Sequence, residues 1–490
     1  MFAAITSVAL VGVEPQPVRV EVHVGSQEPR FALVGLPDTA VREAKDRVRA
    51  AMASSGFRFP SRRVTVNLAP ADLPKGGSAY DLPIALGVLA ASGAVSHAVT
   101  GVVALGELAL DGSVREVRGG LAAGFVARDM DAPCVLAGSA ACQASLVRGA
   151  NVRSIGSLAE AISVALGESP GGPVPDPPSA PLDLSVDLAE VRGQAFARRA
   201  LEVSAAGGHH ILLSGPPGSG KTMLARCLPG LLPLLDEDER LQVAKIWSAA
   251  GRHAIPPATP PFCAPHHTAT TPAIVGGGSG MPVPGEVSLA HRGVLFLDEL
   301  GEFPMPVLEA LRQPVESGQV AIARKGISVT FPADIQLIAA TNPCPCGFSG
   351  DPIKPCRCSL RALERYKRKL SGPLIDRFDL RVMVGRPERG GLVGPPGGSS
   401  DTVRGRVESA RAVQAQRGYL NRSLGRANLD ALPWEQEAVR LLHAAVDRFA
   451  VTGRGYDRVR RVARTIADLE GVPAVGEAHA AEALGFRGEW

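Results

Sequence analysis

An α/β protein closed by an all-helical C-terminal segment is the fold the sequence predicts, on three observations. The first 166 residues alternate strand-like and helix-like apolar patterns, a strand, a glycine-rich turn and a helix follow one another at 211–226, and beyond residue 401 only helical periodicity remains. At 490 residues the chain has room for about three domains, each with its own core. Charged residues make up 20% and the net charge is +4, so composition permits an anionic partner without requiring one. Any nucleic-acid contact therefore has to be argued locally. No apolar run approaches the ~20 residues that cross a bilayer, and the start lacks a charged segment leading into an apolar stretch and cleavage site. The expectation is a cytoplasmic protein with no membrane partner.

Within residues 1–166, Val18, Val20, Val22 and Val24 alternate with polar residues as a half-buried strand requires. Asp38 or Thr39 can cap a helix whose apolar positions Val41, Ala44, Val48 and Ala51 run on until Gly56. Val64 to Leu68 is a further strand, Leu82 to Ala91 a buried helix, Val102 to Leu110 strands meeting an Asp111-Gly112 turn, and Leu158 to Leu166 a last helix. Leu73 to Pro83, with Gly106-Glu107-Leu108 through Gly119-Gly120-Leu121, resembles the proteolytic domain of the Lon family, which works with a serine–lysine dyad. Where the lysine of that dyad would stand the chain has Ala122, and Ser78 aligns with the nucleophile only after a shift. The resemblance thus implies a Lon-protease-like domain lacking the dyad, kept as a scaffold for assembly or partner binding. Residues 167–182 hold Pro170, Pro173, Pro175, Pro177, Pro178 and Pro181 and read as a linker.

Residues 183–386 carry the nucleotide chemistry. Ile211-Leu212-Leu213 leads into Gly215-Pro216-Pro217-Gly218-Ser219-Gly220-Lys221-Thr222, the strand–loop–helix setting of a Walker A phosphate loop. Its glycines let backbone N–H groups turn toward a phosphate and the helix N-terminus adds its dipole. Lys221 then reaches the β/γ-phosphates, and the Thr222 hydroxyl suits Mg²⁺. Val294 to Leu297 is an apolar strand delivering Asp298 and Glu299, one carboxylate for the metal shell and one for the attacking water. Ile335 to Ala340 is another strand, and Asn342 behind it matches the sensor 1 position of AAA+ ATPases, the alternative being a turn asparagine before Pro343. Arg377, in Gly372 to Asp379, resembles the arginine finger that a ring ATPase points at its neighbour's nucleotide, the alternative being a salt bridge to Asp376 or Asp379.

Between the Walker elements, Pro261 to Thr270 and Val275 to Gly280 read as a mobile loop lining a ring pore; the adjacent His266 and His267 rarely could face one ion together. Pro314 to Pro332 reads as a hairpin with Arg324-Lys325-Gly326 at its tip, a basic turn suited either to solvent or to a phosphate backbone. Cys344, Cys346, Cys356 and Cys358 form C-x-C, nine residues, C-x-C, an insertion at 344–358 whose thiolates fit structural Zn²⁺ better than an iron–sulfur cluster or disulfides. Arg361, Arg365 and Arg368 then recur at helical spacing, a basic stripe that is either a solvated face or a nucleic-acid contact.

After a flexible connection at 387–401, the lid at 402–490 shows helices at Val403 to Gln416, Glu435 to Phe449, Asp457 to Leu469 and Glu477 to Leu484. Thr452-Gly453-Arg454, just before the third, resembles a sensor 2 segment whose arginine reaches onto bound nucleotide, the alternative being a helix-start arginine in solvent. Pro265-His266-His267, Pro284 to His291, Asn342 to Gly347 and Val462 to Leu469 together resemble the magnesium-chelatase-like AAA+ ATPases of the ComM/YifB family, nearly end to end. The resemblance implies an AAA+ P-loop core using ATP and Mg²⁺, a homo-hexameric ring, and work on single-stranded or branched DNA such as branch migration or helicase activity in natural transformation. A chelatase-type remodelling ATPase is the other reading, set back by the extra N-terminal domain and cysteines. A Lon-like protease is set back by Ala122.

Overall fold

The computed structural model describes the chain except residues 36, 37, 39, 40, 42, 74, 176–185, 253, 254, 279, 280, 325, 326, 352, 371–373, 387–396, 450, 451 and 488–490. β1 (Phe2–Val11) and β2 (Glu14–Val24) pair antiparallel with Ile5 opposite Val20. Val18, Val20, Val22 and Val24 are all buried, so the alternation read from the sequence does mark the inward face. β3 (Phe31–Val34), β4 (Val64–Ala69) and β5 (Val103–Ala104) extend this sheet, and β6 (Glu107–Leu108) and β7 (Val114–Arg115) pair separately around the Asp111-Gly112 turn. β8 (Pro133–Leu136) and β9 (Asn151–Ser154) complete the order β3-β4-β2-β1-β5-β8-β9. The helix Asp81–Ser92 is apolar on nearly every side because it is buried from Asp81 to Ala91.

Asp38 accepts the Val41 N–H at 2.8 Å ahead of the helix Ala44–Ser54; Thr39, the other expected cap, lies outside the described residues. Ala122 is buried in the helix Gly120–Asp129. The Ser78 hydroxyl donates to Glu107, and Lys75, the lysine nearest to it in sequence, is buried with its ammonium on the Pro70 carbonyl. Each therefore has a partner of its own. Of the linker, Gly172 donates to the Ser154 carbonyl at 2.8 Å, which folds its first residues back onto β9; 176–185 lie outside the described residues.

The second sheet is wholly parallel. β10 (Ile211–Ser214), β11 (Phe262–Cys263), the small pair β12 (Gly276–Gly277) and β13 (Val283–Pro284), β14 (Val294–Leu297), the hairpin β15 (Gln319–Arg324) and β16 (Ile327–Pro332), β17 (Gln336–Thr341) and β18 (Leu380–Met383) follow in sequence. The sheet order is β11-β14-β17-β10-β18, with Ile211 beside Ile338 and Leu295 beside Leu337. β10, β14 and β17 are buried along their whole length, as a parallel sheet covered on both faces demands.

Three expectations change here. The stretch read as a mobile pore loop is largely built in: Phe262–Cys263 is the sheet's edge strand, Thr271–Val275 is helical, and Gly276–Gly277 pairs with β13. A two-residue strand is too short to show a period. The hairpin strands begin at Gln319 and Ile327 as read, but Pro314, taken as part of the same stretch, lies inside the helix Arg312–Ser317. In the lid, the third helix runs Gly453–Leu469 because the Thr452 side chain caps it, accepting the Gly455 N–H at 3.1 Å. Arg454 therefore stands in its first turn, not before it.

The other lid helices, Ser400–Gln416, Gln436–Phe449 and Glu477–Gly485, agree with the periodicity to within a few residues; 387–396 of the preceding connection lie outside the described residues. Val407, Leu442, Val462 and Ile466 share one core with Leu201, Leu224 and Leu228 of the helices flanking β10. The N-terminal unit is also fastened to the ATPase core. Val13, at the β1–β2 turn, is buried in the cluster of Phe303, Val320 and Phe331, and Leu121, Phe125 and Val147 pack with Ala244.

Candidate nucleotide site

Because β10, β14 and β17 run parallel, the loops at their C-terminal ends converge: Gly215–Thr222 after β10, Asp298-Glu299 after β14 and Asn342 after β17. Gly218 (φ +75°) and Gly220 (φ +91°) take the left-handed conformations the loop needs, and a Cβ at Gly215 would come within 2.1 Å of the Val384 carbonyl. Lys221 opens the helix Lys221–Leu231. Its ammonium donates to the carbonyls of Gly215 at 2.7 Å and Pro216 at 2.9 Å and lies 3.3 Å from Asn342 Oδ1. Burial lowers its pKa, against the pull of Asp298 and Glu299. Thr222 Oγ1 donates to Asp298 Oδ2 at 2.8 Å, so the hydroxyl and carboxylate expected in one metal shell already touch. Ser219 Oγ is buried and has no hydrogen-bond partner among the described residues, an orphan that a phosphate oxygen would satisfy. The residues thus fit ATP with Mg²⁺.

Glu299 has φ +51°, a left-handed conformation uncommon outside glycine, and its N–H donates to Asp298 Oδ1 at 2.9 Å. Its carboxylate lies 3.4 Å from His267 Nδ1. Sequence reasoning assigned His267 to a pore loop. What places it here is the pairing of β11 with β14, which carries the loop after Cys263 alongside Glu299.

Arg377, expected at a neighbour's nucleotide, and Arg454, expected at this chain's own, stand in one groove. Arg377 precedes β18 and pairs with Glu316. Asp376 faces Arg381 at 3.6 Å, and Asp379 is held by His209 at 3.2 Å and Arg458 at 3.4 Å. Arg377 and Arg454 line one groove of about 610 Å³ with His210, Arg422, Arg458 and Arg461. His210 and Asp379 immediately precede β10 and β18, so this groove opens at the N-terminal ends of the strands while the phosphate loop lies at their C-terminal ends. Arg454 thus stands in a groove at the opposite end of the sheet from its own chain's phosphate loop. Burial and Arg422 push the His210 pKa down to about 4, and its Nδ1 accepts the Leu337 N–H. The groove's positive charge therefore comes from its arginines. Burial alone would raise the Asp379 carboxyl, but His209, His210 and Arg458 bring it down to about 2.

The cysteines do converge. All four Sγ atoms lie within 4.8 Å of one another, with Cys344 3.4 Å from Cys346 and 3.7 Å from Cys356, and Cys346 3.6 Å from Cys356. Thiolates at ~2.3 Å from one tetrahedral zinc stand ~3.8 Å apart, whereas a disulfide needs ~2.05 Å. The spacing fits an ion. Arg361, Arg365 and Arg368 are exposed on the helix Leu360–Leu370, and Arg324 is exposed at the end of β15; Lys325, the other basic tip residue, lies outside the described residues. No helix among the described residues is long and apolar enough to cross a membrane.

Comparison with known proteins gives matches along the chain. The families described as "Subunit ChlI of Mg-chelatase", "Magnesium chelatase, subunit ChlI" and "Magnesium chelatase, subunit ChlI C-terminal" match residues 20–138, 187–391 and 397–487. Competence protein ComM of Haemophilus influenzae is 41% identical over 510 residues, covering 99% of this chain and 97% of its own. YifB of Escherichia coli is 41% identical over 488 residues, 98% of this chain and 96% of its own. The magnesium-chelatase 38 kDa subunit of Cereibacter sphaeroides is 24% identical over 307 residues, 55% of this chain and 80% of its own.

Proposed function

The chain belongs to the ComM/YifB family of magnesium-chelatase-like AAA+ ATPases, and we propose that it is an ATP-driven ring motor acting on single-stranded or branched DNA in the cytoplasm, with branch migration or helicase activity in recombination or natural transformation. The observation that carries this reading is the match to a competence protein over 99% of the chain, N-terminal domain included; the chelatase subunit covers only 55%.

Bound ATP with Mg²⁺ supplies the phosphoryl group and the charge that neutralises it. Gly215, Pro216, Pro217, Gly218, Ser219 and Gly220 form the cradle, and Lys221 leaves its carbonyl partners for phosphate. Thr222 and Asp298 hold the metal. Glu299 orients and deprotonates the attacking water, and Asn342 fixes the water's other side. Arg377 and Arg454, grouped at the far end of the sheet, complete the site of a neighbouring copy in a homo-hexamer, where their charge stabilises the transferring phosphoryl group. Arg324 with Lys325, and Arg361, Arg365 and Arg368, supply phosphate-backbone contacts, and the cysteines hold a structural Zn²⁺.

The test is the ATPase rate without DNA, with single-stranded DNA and with a branched junction, using Glu299→Gln as contamination control. Stimulation of several-fold by DNA is expected. An unchanged rate in assembled, zinc-loaded protein overturns the DNA reading in favour of protein remodelling.

A further inference from the structure

The cysteine cluster and the helix that follows it touch the nucleotide site at two separate points. The Cys344 and Cys346 ligands stand directly behind Asn342, and Cys344 is fully buried. Gly347 (φ +83°) brings the cysteine loop against the phosphate loop, so close that a Cβ there would lie 2.6 Å from Pro217 Cδ. One residue after Cys358 and Ser359 the helix Leu360–Leu370 begins and carries Tyr366 back to the same place. The Tyr366 hydroxyl donates to the Asn342 carbonyl at 3.0 Å and lies 2.9 Å from Thr341 Oγ1. The ring fills the space over Gly301, two residues past Glu299, where a Cβ would meet it at 2.7 Å. A third tie fastens the loop laterally: Asp351 Oδ2 is 3.0 Å from Arg386 Nε, and the Arg386 guanidinium and Lys354 ammonium both lie over the Phe348 ring. The outward side of the same helix is the exposed row Arg361, Arg365 and Arg368.

We propose that residues 344–370 are a zinc-held arm that positions Asn342, so that metal occupancy sets the rate of ATP hydrolysis and leaves ATP affinity nearly untouched, with Tyr366 as the positioning residue that joins the arm to the site. This rests on the ATPase reading above and deepens it. Affinity is the business of the phosphate loop, whose backbone and Lys221 stand on β10 and the helix behind it; it meets the cysteine loop at the Pro217 ring, which has no N–H to offer a phosphate. Asn342, by contrast, follows the end of β17 directly, its side chain meeting Lys221 at 3.3 Å and its carbonyl fixed from outside by Tyr366 at 3.0 Å. Four thiolates closing on one ion shorten the loop between Asn342 and that helix and keep the phenol in place. Without the ion, nothing covalent defines where the helix starts. Displacing a water-orienting group by ~1 Å costs on the order of 10²-fold in rate.

The experiment uses the full chain without DNA. Zinc per chain is measured by elemental analysis, ATP affinity with a fluorescent nucleotide, and turnover at steady state, before and after chelation and again after Zn²⁺ is restored. The expected result is one zinc per chain, at least tenfold lower kcat in the chelated protein with ATP affinity within about threefold, and recovery on adding Zn²⁺. Tyr366→Phe keeps the ring over Gly301 and provides a variant that stays folded and zinc-loaded; its kcat drops three- to tenfold at unchanged affinity. A chain that binds no zinc, an apo protein of undiminished turnover, or a Tyr366→Phe variant at the wild-type rate overturns the arm and leaves the ATPase reading standing. A zinc-loaded, assembled chain with no turnover at all overturns that reading, and the arm with it.

Discussion

Replacing Arg454 by alanine should abolish turnover, and the loss should be repaired by a second inactive chain. From His210, just before β10 (Ile211–Ser214), to Gly215, just after it, the strand rises five steps of ~3.3 Å, about 16 Å, whereas an arginine side chain built of bonds near ~1.5 Å extends only ~7 Å. Arg454 lies with His210 at the N-terminal end, and the phosphate loop starts at the other. The guanidinium therefore serves a phosphate on a neighbouring copy or none. Trans-acting arginines of this kind are worth ~10³-fold or more in kcat, so Arg454→Ala alone should retain about a thousandth of the wild-type rate. Glu299→Gln should also lose turnover, by ~10²-fold or more, while still binding ATP. In an equimolar mixed ring, about a quarter of interfaces set an intact Glu299 against an intact Arg454, and activity should return toward about a quarter of wild type. Steady-state ATPase on co-assembled chains, with heteromers confirmed by differential tagging, reads the outcome. Mixed rings as dead as either parent would refute the trans assignment.

The remaining expectations are direct. Glu299→Gln should hold ATP at wild-type affinity and cut turnover ~10²-fold or more, read by nucleotide binding beside phosphate release. His267→Ala removes the ring 3.4 Å from that carboxylate and should lower kcat about tenfold with ATP affinity within about twofold; an unaltered rate would make the contact incidental. Asp379 has a folded pKa depressed to about 2, so its contribution is present above the unfolded value near ~3.9 and is lost as pH falls toward 2. Wild type should lose about 2 kcal/mol across that window that Asp379→Asn does not, measured by denaturant unfolding from pH 5 downward.

What was legible in the residues is what is local. The phosphate loop announces itself because Gly218 and Gly220 must take positive φ beside Lys221, and Asp298-Glu299 because a buried parallel strand ending in two carboxylates has few other uses. That the four cysteines come together was readable from spacing alone. What escaped is tertiary. Arg377's partner Glu316 is 61 residues away. His267 meets Glu299 only because a two-residue edge strand pairs with β14. Arg454's position depends on where a capped lid helix crosses the sheet, and no period in 453–469 encodes that. Tyr366 sat unnoticed among the arginines of a basic helix, since its role is set by Asn342 and Gly301 on other elements.

The proline-rich stretch after residue 167 invites a picture of two bodies on a tether, but Val13 speaks against it. Its side chain is lodged among Phe303, Val320 and Phe331, and Gly12 lies so near Val329 that a methyl group would stand 2.3 Å from it. Val320, Val329 and Phe331 are the root of the very hairpin whose outer end carries Arg324. A pull on that end therefore levers directly against the turn joining β1 to β2. The N-terminal sheet is thus joined to the second sheet's unit by packing as well as by the chain, and severing the chain at its prolines would leave the two halves docked through Val13.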